Sequence, residues 1–264
     1  MTDVLGVCLR WSDGECVIQP ELGAAVTIPF DTIVAGKPVP PRPSTRLRAT
    51  ARDVELRSFV LWPRMTTEPL GDWVLRASPP MDGRRLRRAN SVLAMGDPGL
   101  PLDDATRRVR DFYASRDQQP LAMVEIGSVV EAPVLALGWT DTDFVPAHAQ
   151  VASLARAARA CGVPVSETEP VGDEQRVELD LGPARGRAAL DGDWLGVHGI
   201  LVDPAHRRQG HARRVIAGLL AWGAEHGATT VWLHVESDNA AGVALYEGLG
   251  FATHHSYRYL TPAH

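Results

Sequence analysis

Apolar and polar residues alternate along this chain in more than one rhythm. Over residues 1 to about 36 they change places in short runs, "DVLGVCLRW", "ECVIQ" and "AAVTIPF", divided by the turn signals "SDG" and "ELG". This period of two predicts a small antiparallel β-barrel over residues 1–40. The prolines of "KPVPPRPST" hold extended geometry and cannot continue a sheet, so residues 41–49 are expected to form a linker. A helical pattern, "ATARDVELRSFVLW", stops at Pro63. Two strand patterns follow, "DWVLRAS" and "RRANSVLAM", joined by the turn-rich "PPMDGR"; the second would carry Arg87, Arg88 and Asn90.

From Asp97 onward the pattern occurs twice. An offset of 106 lays Asp97-Pro98 on Asp203-Pro204 and Arg107-Arg108-Val109 on Arg213-Arg214-Val215. Each copy then continues as a helix, an apolar strand ("LAMVEI" or "VWLHVES"), a short helix and a turn, Leu137-Gly138-Trp139 or Leu249-Gly250-Phe251. An ordered series of this kind marks a duplicated unit, with one copy expected in residues 50–148 and the other in 149–264. Between them, "AHAQVASLARAARACG" mixes strand and helix signals and stops at Gly162, and "SETEPVGDEQ" reads as an acidic loop. Three strand patterns follow, "RVELDLG", "GRAAL" and "WLGVHGILV", the last almost wholly apolar, as a central strand should be. The whole reads as an α+β, mixed α/β protein.

The two copies differ where their long helices begin. In "DPAHRRQGHARRV" the helix opens on Gly210 and Ala212, with Arg207 and Arg208 just before it. First-turn amides have no partners inside a helix and carry the positive end of its dipole, so this start suits an anion such as a pyrophosphate. In the first copy Asp104 replaces Gly210, Asp103 replaces Gln209 and Pro101 replaces Arg207. Carboxylates there satisfy the dipole and repel an anion, so the first copy is expected to keep the fold and lose the site.

Composition narrows the classes. Net charge is -5, which gives no general attraction to nucleic acid. The barrel segment is itself acidic, with Asp3, Asp13, Glu15, Glu21 and Asp31 against Arg10 and Lys37. Three cysteines without CxxC spacing argue against a disulfide framework and a zinc site, and no metal is expected. The chain shows neither a signal-peptide pattern nor an apolar run long enough for a membrane, so a cytoplasmic location is the expectation. The single lysine, Lys37, sits beside the proline-rich stretch, where a catalytic Schiff base is not expected.

Arg207-Arg208-Gln209-Gly210-His211-Ala212 resembles the acyl-CoA loop, R/Q-x-x-G-x-G/A, of the GNAT acetyltransferases, and "DNAAGVALYEGLGF" resembles the Asn-x-x-A-x-x-L-Y-x-x-x-G-F block of the same family. The two stand in the family's order, over about residues 175 to 260. The resemblance implies a GNAT fold, in tandem with a degenerate first unit and preceded by an SH3-like barrel. It also implies acetyl-CoA as cofactor and direct attack of an amine on the acetyl thioester. Residues 207–212 and Asn239 would hold the cofactor. Backbone amides of Ile200, Leu201 and Val202 would face the developing oxyanion, and Tyr246 would serve the leaving thiolate. The proton of the amine would pass to His198, to Glu236 or to water. The overall order of segments is similar to an actinobacterial group described as N-acetylglutamate synthase-like, which points to a small-molecule amine acceptor, glutamate first. A protein N-terminus or lysine remains the alternative acceptor, and a non-catalytic acyl-CoA sensor the alternative of another class. A homodimer through a sheet edge or the barrel is the further expectation.

Overall fold

In the computed structural model, which describes residues 4, 6–20, 23–36, 48–81 and 83–263, the chain divides into two units, residues 1–42 and 43–264. The expected linker falls outside the described residues except for its last two positions, and Lys37 falls outside them too. In the first unit, β1 (Gly6–Ser12), β2 (Glu15–Pro20) and β3 (Val26–Pro29) form an antiparallel sheet in that order. Asp13 and Gly14, both at positive φ (58° and 79°), make the two-residue turn between β1 and β2, because a turn of that hand matches the twist of the strands. Here the expectation needs correction. Both outer strands pair only with β2, so the sheet is open among the described residues and no barrel is shown.

The second unit is one mixed sheet of twelve strands. Its chain begins with α1 (Ala51–Arg57), closed at its start by a capping box in which Thr50 and Asp53 bond each other's backbone N–H. A 3-10 turn at Ser58–Leu61 follows, then β4 (Thr66–Leu70) and β5 (Trp73–Ala77). The expected strand at "RRANSVLAM" is a 3-10 turn, Arg87–Ala89, followed by a short β6 (Val92–Leu93). Asn90 decides this: its side chain accepts from Ser78 N at 3.0 Å and donates to Leu86 O at 3.0 Å, folding the segment into a loop. Next come α2 (Leu102–Ala114), β7 (Ala122–Glu125), α3 (Glu131–Ala136), β8 (Trp139–Asp141), β9 (Ala147–Ser153) and α4 (Leu154–Cys161). The mixed signals around residue 150 thus resolve into a strand and then a helix, which Gly162 ends at φ 60°.

The remaining strands are β10 (Val171–Gly172), β11 (Arg176–Asp180), β12 (Ala184–Asp191) and β13 (Trp194–Val202). Then follow α5 (His211–Glu225), β14 (Thr230–Glu236), α6 (Ala240–Gly248) and β15 (Ala252–Pro262). The sheet order is β10-β11-β12-β13-β14-β9-β15-β7-β6-β5-β4, with β8 also on β15. Each copy contains one parallel pair, β6 with β7 and β13 with β14, bridged by its long helix. β9, which spans the expected boundary between the copies, pairs with β14, and β15, at the end of the second, pairs with β7. The copies are therefore joined through β9 and β15 into a continuous sheet. β8 and β15 each leave a short helix through a glycine at positive φ, Gly138 (79°) or Gly250 (86°).

Strand alternation gives the sheet two faces. On one, α4 and α5 pack over Leu195, Val231, Leu233 and Val235, and α2 and α3 over Trp73, Leu75 and Val124. Val215, Ile216, Leu219 and Leu220 of α5 are buried here, and each such side chain contributes about 1.5–3 kcal/mol. The opposite face carries α1 and the turn after it, over Val74, Met123, Val151, Trp194, Trp232 and Tyr257.

Candidate active site

The site forms where a parallel pair comes apart. β13 and β14 are bonded only from Trp194 to Gly196 on β13, and beyond Gly196 that edge has no strand partner among the described residues. On its other edge β13 carries a bulge. Arg187 pairs with His198 and Arg185 with Leu201, so Gly199 and Ile200 together oppose Gly186. Gly199 sits at φ 62°, where a side chain would be strained. The extra residue reverses the alternation: Ile200 and Val202 join the α5 face, while Leu201 stands 55 % exposed.

The loop after β13 is tied back by Asp203 N to Pro183 O at 2.9 Å, makes a 3-10 turn at Pro204–His206 and enters α5 through two left-handed residues, Arg208 (φ 64°) and Gly210 (φ 81°). No side chain caps α5, and a Cβ at Gly210 would meet nothing within 4 Å. The first-turn amides therefore open onto clear space. Arg207 and Arg208 are exposed and have no carboxylate in ion-pair contact among the described residues. Gln209 instead turns back to Ala205 O at 3.3 Å, and the His211 ring lies edge-on to His206 at 5.9 Å. At the matching start of α2, Asp104 bonds Arg107 at 2.8 Å. The donor set on α5 fits a pyrophosphate, and that on α2 does not.

Tyr246 packs from α6 against the α5-side core, its ring 5.9 Å from that of Phe251. Burial pushes its hydroxyl above the ordinary tyrosine value, so it stays a donor at neutral pH. Asn239 caps α6, its Oδ1 accepting from Gly242 N at 3.0 Å. His198 lies on the opposite face, 6.0 Å from Trp62 ring to ring. Burial, and then the charges of Arg187 and Arg88, push it down to about 4, so it is neutral near pH 7. Glu236, at the end of β14, is half exposed and ion-paired to Arg87 at 3.1 Å. Tyr246 and His198 thus approach the divergence of β13 and β14 from opposite faces.

Sequence reasoning missed a polar cluster beneath α1. Glu55 is fully buried; its Oε1 accepts from Nε2 of His234 at 2.8 Å and of His255 at 3.1 Å. Burial alone would raise the carboxyl, but these two imidazoles outweigh it and hold Glu55 ionised. Burial keeps His234 below its ordinary value. His254 donates Nε2–H to Ala49 O at 2.9 Å and meets His255 Nδ1 to Nδ1, also at 2.9 Å. Burial also keeps His254 below its ordinary value. Nearby, Arg88 Nε donates to Tyr257 Oη at 2.6 Å. The available signal was parity: His234 shares the face of Trp232, opposite to Leu233 and Val235. Among the described residues no group of His, Cys, Asp and Glu is arranged to hold a metal. No helix among them is long and apolar enough to cross a membrane. A cavity of 320 Å³ lined by Arg64, Pro79, Pro80 and Arg85 lies at the β4–β5 end of the sheet, away from this site.

Residues 173–260 match the family model described as "Probable histone acetyltransferase Rv0428c C-terminal". Across 98 % of its length the chain is 28 % identical to 89 % of the probable histone acetyltransferase Rv0428c of Mycobacterium tuberculosis. A stretch of 59 residues is 46 % identical to the ribosomal protein bS18-alanine N-acetyltransferase of Escherichia coli, covering 22 % of this chain and 40 % of that enzyme. A GCN5-related N-acetyltransferase from Kribbella flavida superposes with a TM-score of 0.54 at 18 % identity, over 81 % of this chain and 94 % of the other. A tandem GNAT protein from the clavulanic acid biosynthesis pathway does so at 0.53 and 14 %, over 79 % and 87 %. The fold is that of the GNAT acetyltransferases, and these likenesses together support an N-acetyltransferase.

Proposed function

We propose that this GNAT-type chain is an acetyl-CoA-dependent N-acetyltransferase with one working site, in its second copy, acting on the primary amine of a small molecule. The observation that carries the reading is the open, uncapped start of α5 beside the divergence of β13 and β14. Acetyl-CoA, when bound, supplies the activated acyl group. The amides from Gly210 to Arg213, with Arg207 and Arg208, hold its pyrophosphate. The amine arrives neutral from the α1 face and forms the new C–N bond as the C–S bond breaks. Amides of the unpaired edge of β13, around Ile200 to Val202, stabilise the negative charge on the carbonyl oxygen. Tyr246 donates its hydroxyl proton to the departing sulfur. The proton lost by nitrogen passes through His198 towards solvent. His198 is neutral and therefore able to accept it, and being a weak base it releases it readily. Glu236 is the less suited base, because Arg87 neutralises it.

Residues 50–148 are the degenerate copy, retained because it supplies the Arg87–Ala89 turn to the second copy's site. Amino acids are the proposed acceptors, glutamate first, in keeping with the N-acetylglutamate synthase-like resemblance. The names of the relatives favour a second reading, a protein amine such as an N-terminal alanine. Titration calorimetry with acetyl-CoA, followed by an acceptor screen, tests both readings. One site per chain and acetylation of free amino acids are expected. Two sites would overturn the single-site reading, no binding would overturn the acetyltransferase, and transfer to peptides alone would select the second reading.

A further inference from the structure

Four arginines lie on or near the α1 face of the sheet, and three are tied down or sealed from solvent. Arg76 is fully buried, donating to Ser91 O at 2.8 Å and Ser91 Oγ at 2.9 Å. Arg187 is bound to Glu178 at 2.8 Å. Arg87 pairs with Glu236 and lies 4.2 Å over the Phe144 ring. Arg88 differs from all of them. Its Nε donates to Tyr257 Oη at 2.6 Å and its guanidinium lies 5.8 Å from that ring's centre. Among the described residues it meets no carboxylate, and its two Nη groups donate to nothing. As a residue it is half-buried; its guanidinium is largely desolvated, with Tyr257, Tyr259 and Glu55 favouring its charge, and it is close enough to His198 for that charge to oppose protonation of the ring.

A guanidinium with its paired Nη groups free, fixed at Nε and seated beside the group that meets the attacking amine, is shaped for two-pronged contact with a carboxylate. In an α-amino acid the carboxylate is separated from the amine nitrogen by one carbon. We infer that Arg88 is the receptor for the acceptor's α-carboxylate and that the acceptors are free α-amino acids. Tyr257 is then a positioning residue, which aims the guanidinium. The inference rests on the acetyltransferase reading above and deepens it by naming the residue that selects the proposed acceptors. It also gives the first copy a task, since Arg88 stands on that copy's turn between β5 and β6.

The test compares L-amino acids, beginning with glutamate, with their α-amides as acceptors for the full chain and for Arg88→Met. In the wild-type chain the acids should exceed the amides by about 10–100-fold in kcat/KM, the worth of a hydrogen-bonded charge pair. Arg88→Met should remove that preference through KM, leaving acetyl-CoA affinity as it was. The wild-type comparison needs no variant, so misfolding of Arg88→Met cannot obscure it, and Arg88→Lys should retain part of the preference. Acetyl-CoA binding and transfer with equal rates on acids and amides, or on peptides instead of free acids, would overturn this inference and leave the acetyltransferase standing. So would an Arg88→Met chain that keeps the preference. A wild-type chain that binds no acetyl-CoA would overturn both.

Discussion

Replacing Gly210 by alanine separates the backbone cost of a left-handed residue from its value to a ligand. Gly210 is at φ 81°, and a Cβ there touches no atom of the protein within 4 Å. Gly227, beyond the other end of α5, is at φ 83° and equally open. Each alanine should therefore cost the same, about 1–2 kcal/mol for placing an L side chain in that region. For a domain of this size that lowers Tm by about 2–8 °C. Only Gly210→Ala also projects a methyl into the space where the pyrophosphate approaches the α5 amides. Losing one or two charge-assisted hydrogen bonds, about 1.5–3 kcal/mol each, weakens acetyl-CoA binding by at least about tenfold. Thermal unfolding of both variants, with calorimetric titration of each, measures the two effects. Equal stabilities and a selective loss of affinity in Gly210→Ala are expected. Wild-type affinity in Gly210→Ala, or an equal loss in Gly227→Ala, would refute the placement of the anion.

Glu55→Gln should destabilise the second unit by about 1–3 kcal/mol, because the acceptor shared by the two imidazoles loses its charge and the new amide places donors at the site of Oε2, which has no partner; urea unfolding indistinguishable from wild type would contradict this. Tyr246→Phe should lower kcat by about 10–100-fold without changing acetyl-CoA affinity, and an unchanged kcat would remove Tyr246 from thiolate protonation. His198 is depressed in the folded chain to about 4 from an ordinary 6.5. Between those values the unfolded chain binds more protons, so stability rises with pH across that window and is lost as pH falls through it. His198→Gln should flatten that slope in a Tm-against-pH series; an unaltered slope would mean that the ring is not held neutral.

The turn-and-strand rhythm, the duplicated frame and the start of α5 at Gly210 were legible because they depend on neighbours in sequence. A helix start is built from consecutive residues, and replacing Gly210 by Asp104 in the other copy reverses its charge whatever surrounds it. Tyr246 was legible through its spacing within a motif. Parity read from the sequence failed at "RRANSVLAM", where one side chain, Asn90, bonds across to Ser78 and turns an expected strand into a loop. It failed again at the bulge, where Gly199 shifts Leu201 to the other face.

By itself, the sequence determined which segments are strands or helices in most of the second unit, and the family to look towards. Only the tertiary structure decided that β9 and β15 join the two parallel pairs into one sheet, that an open sheet stands among the described residues where a barrel was expected, and that Glu55 meets His234 and His255 across nearly two hundred residues. It also decided that Arg88, unlike Arg187, has no ion-pair partner among the described residues and, unlike Arg76, is not fully buried. Local preferences are written in the order of residues. The partner of a buried charge depends on which distant strands lie side by side, and that is settled only when the whole sheet closes its cores.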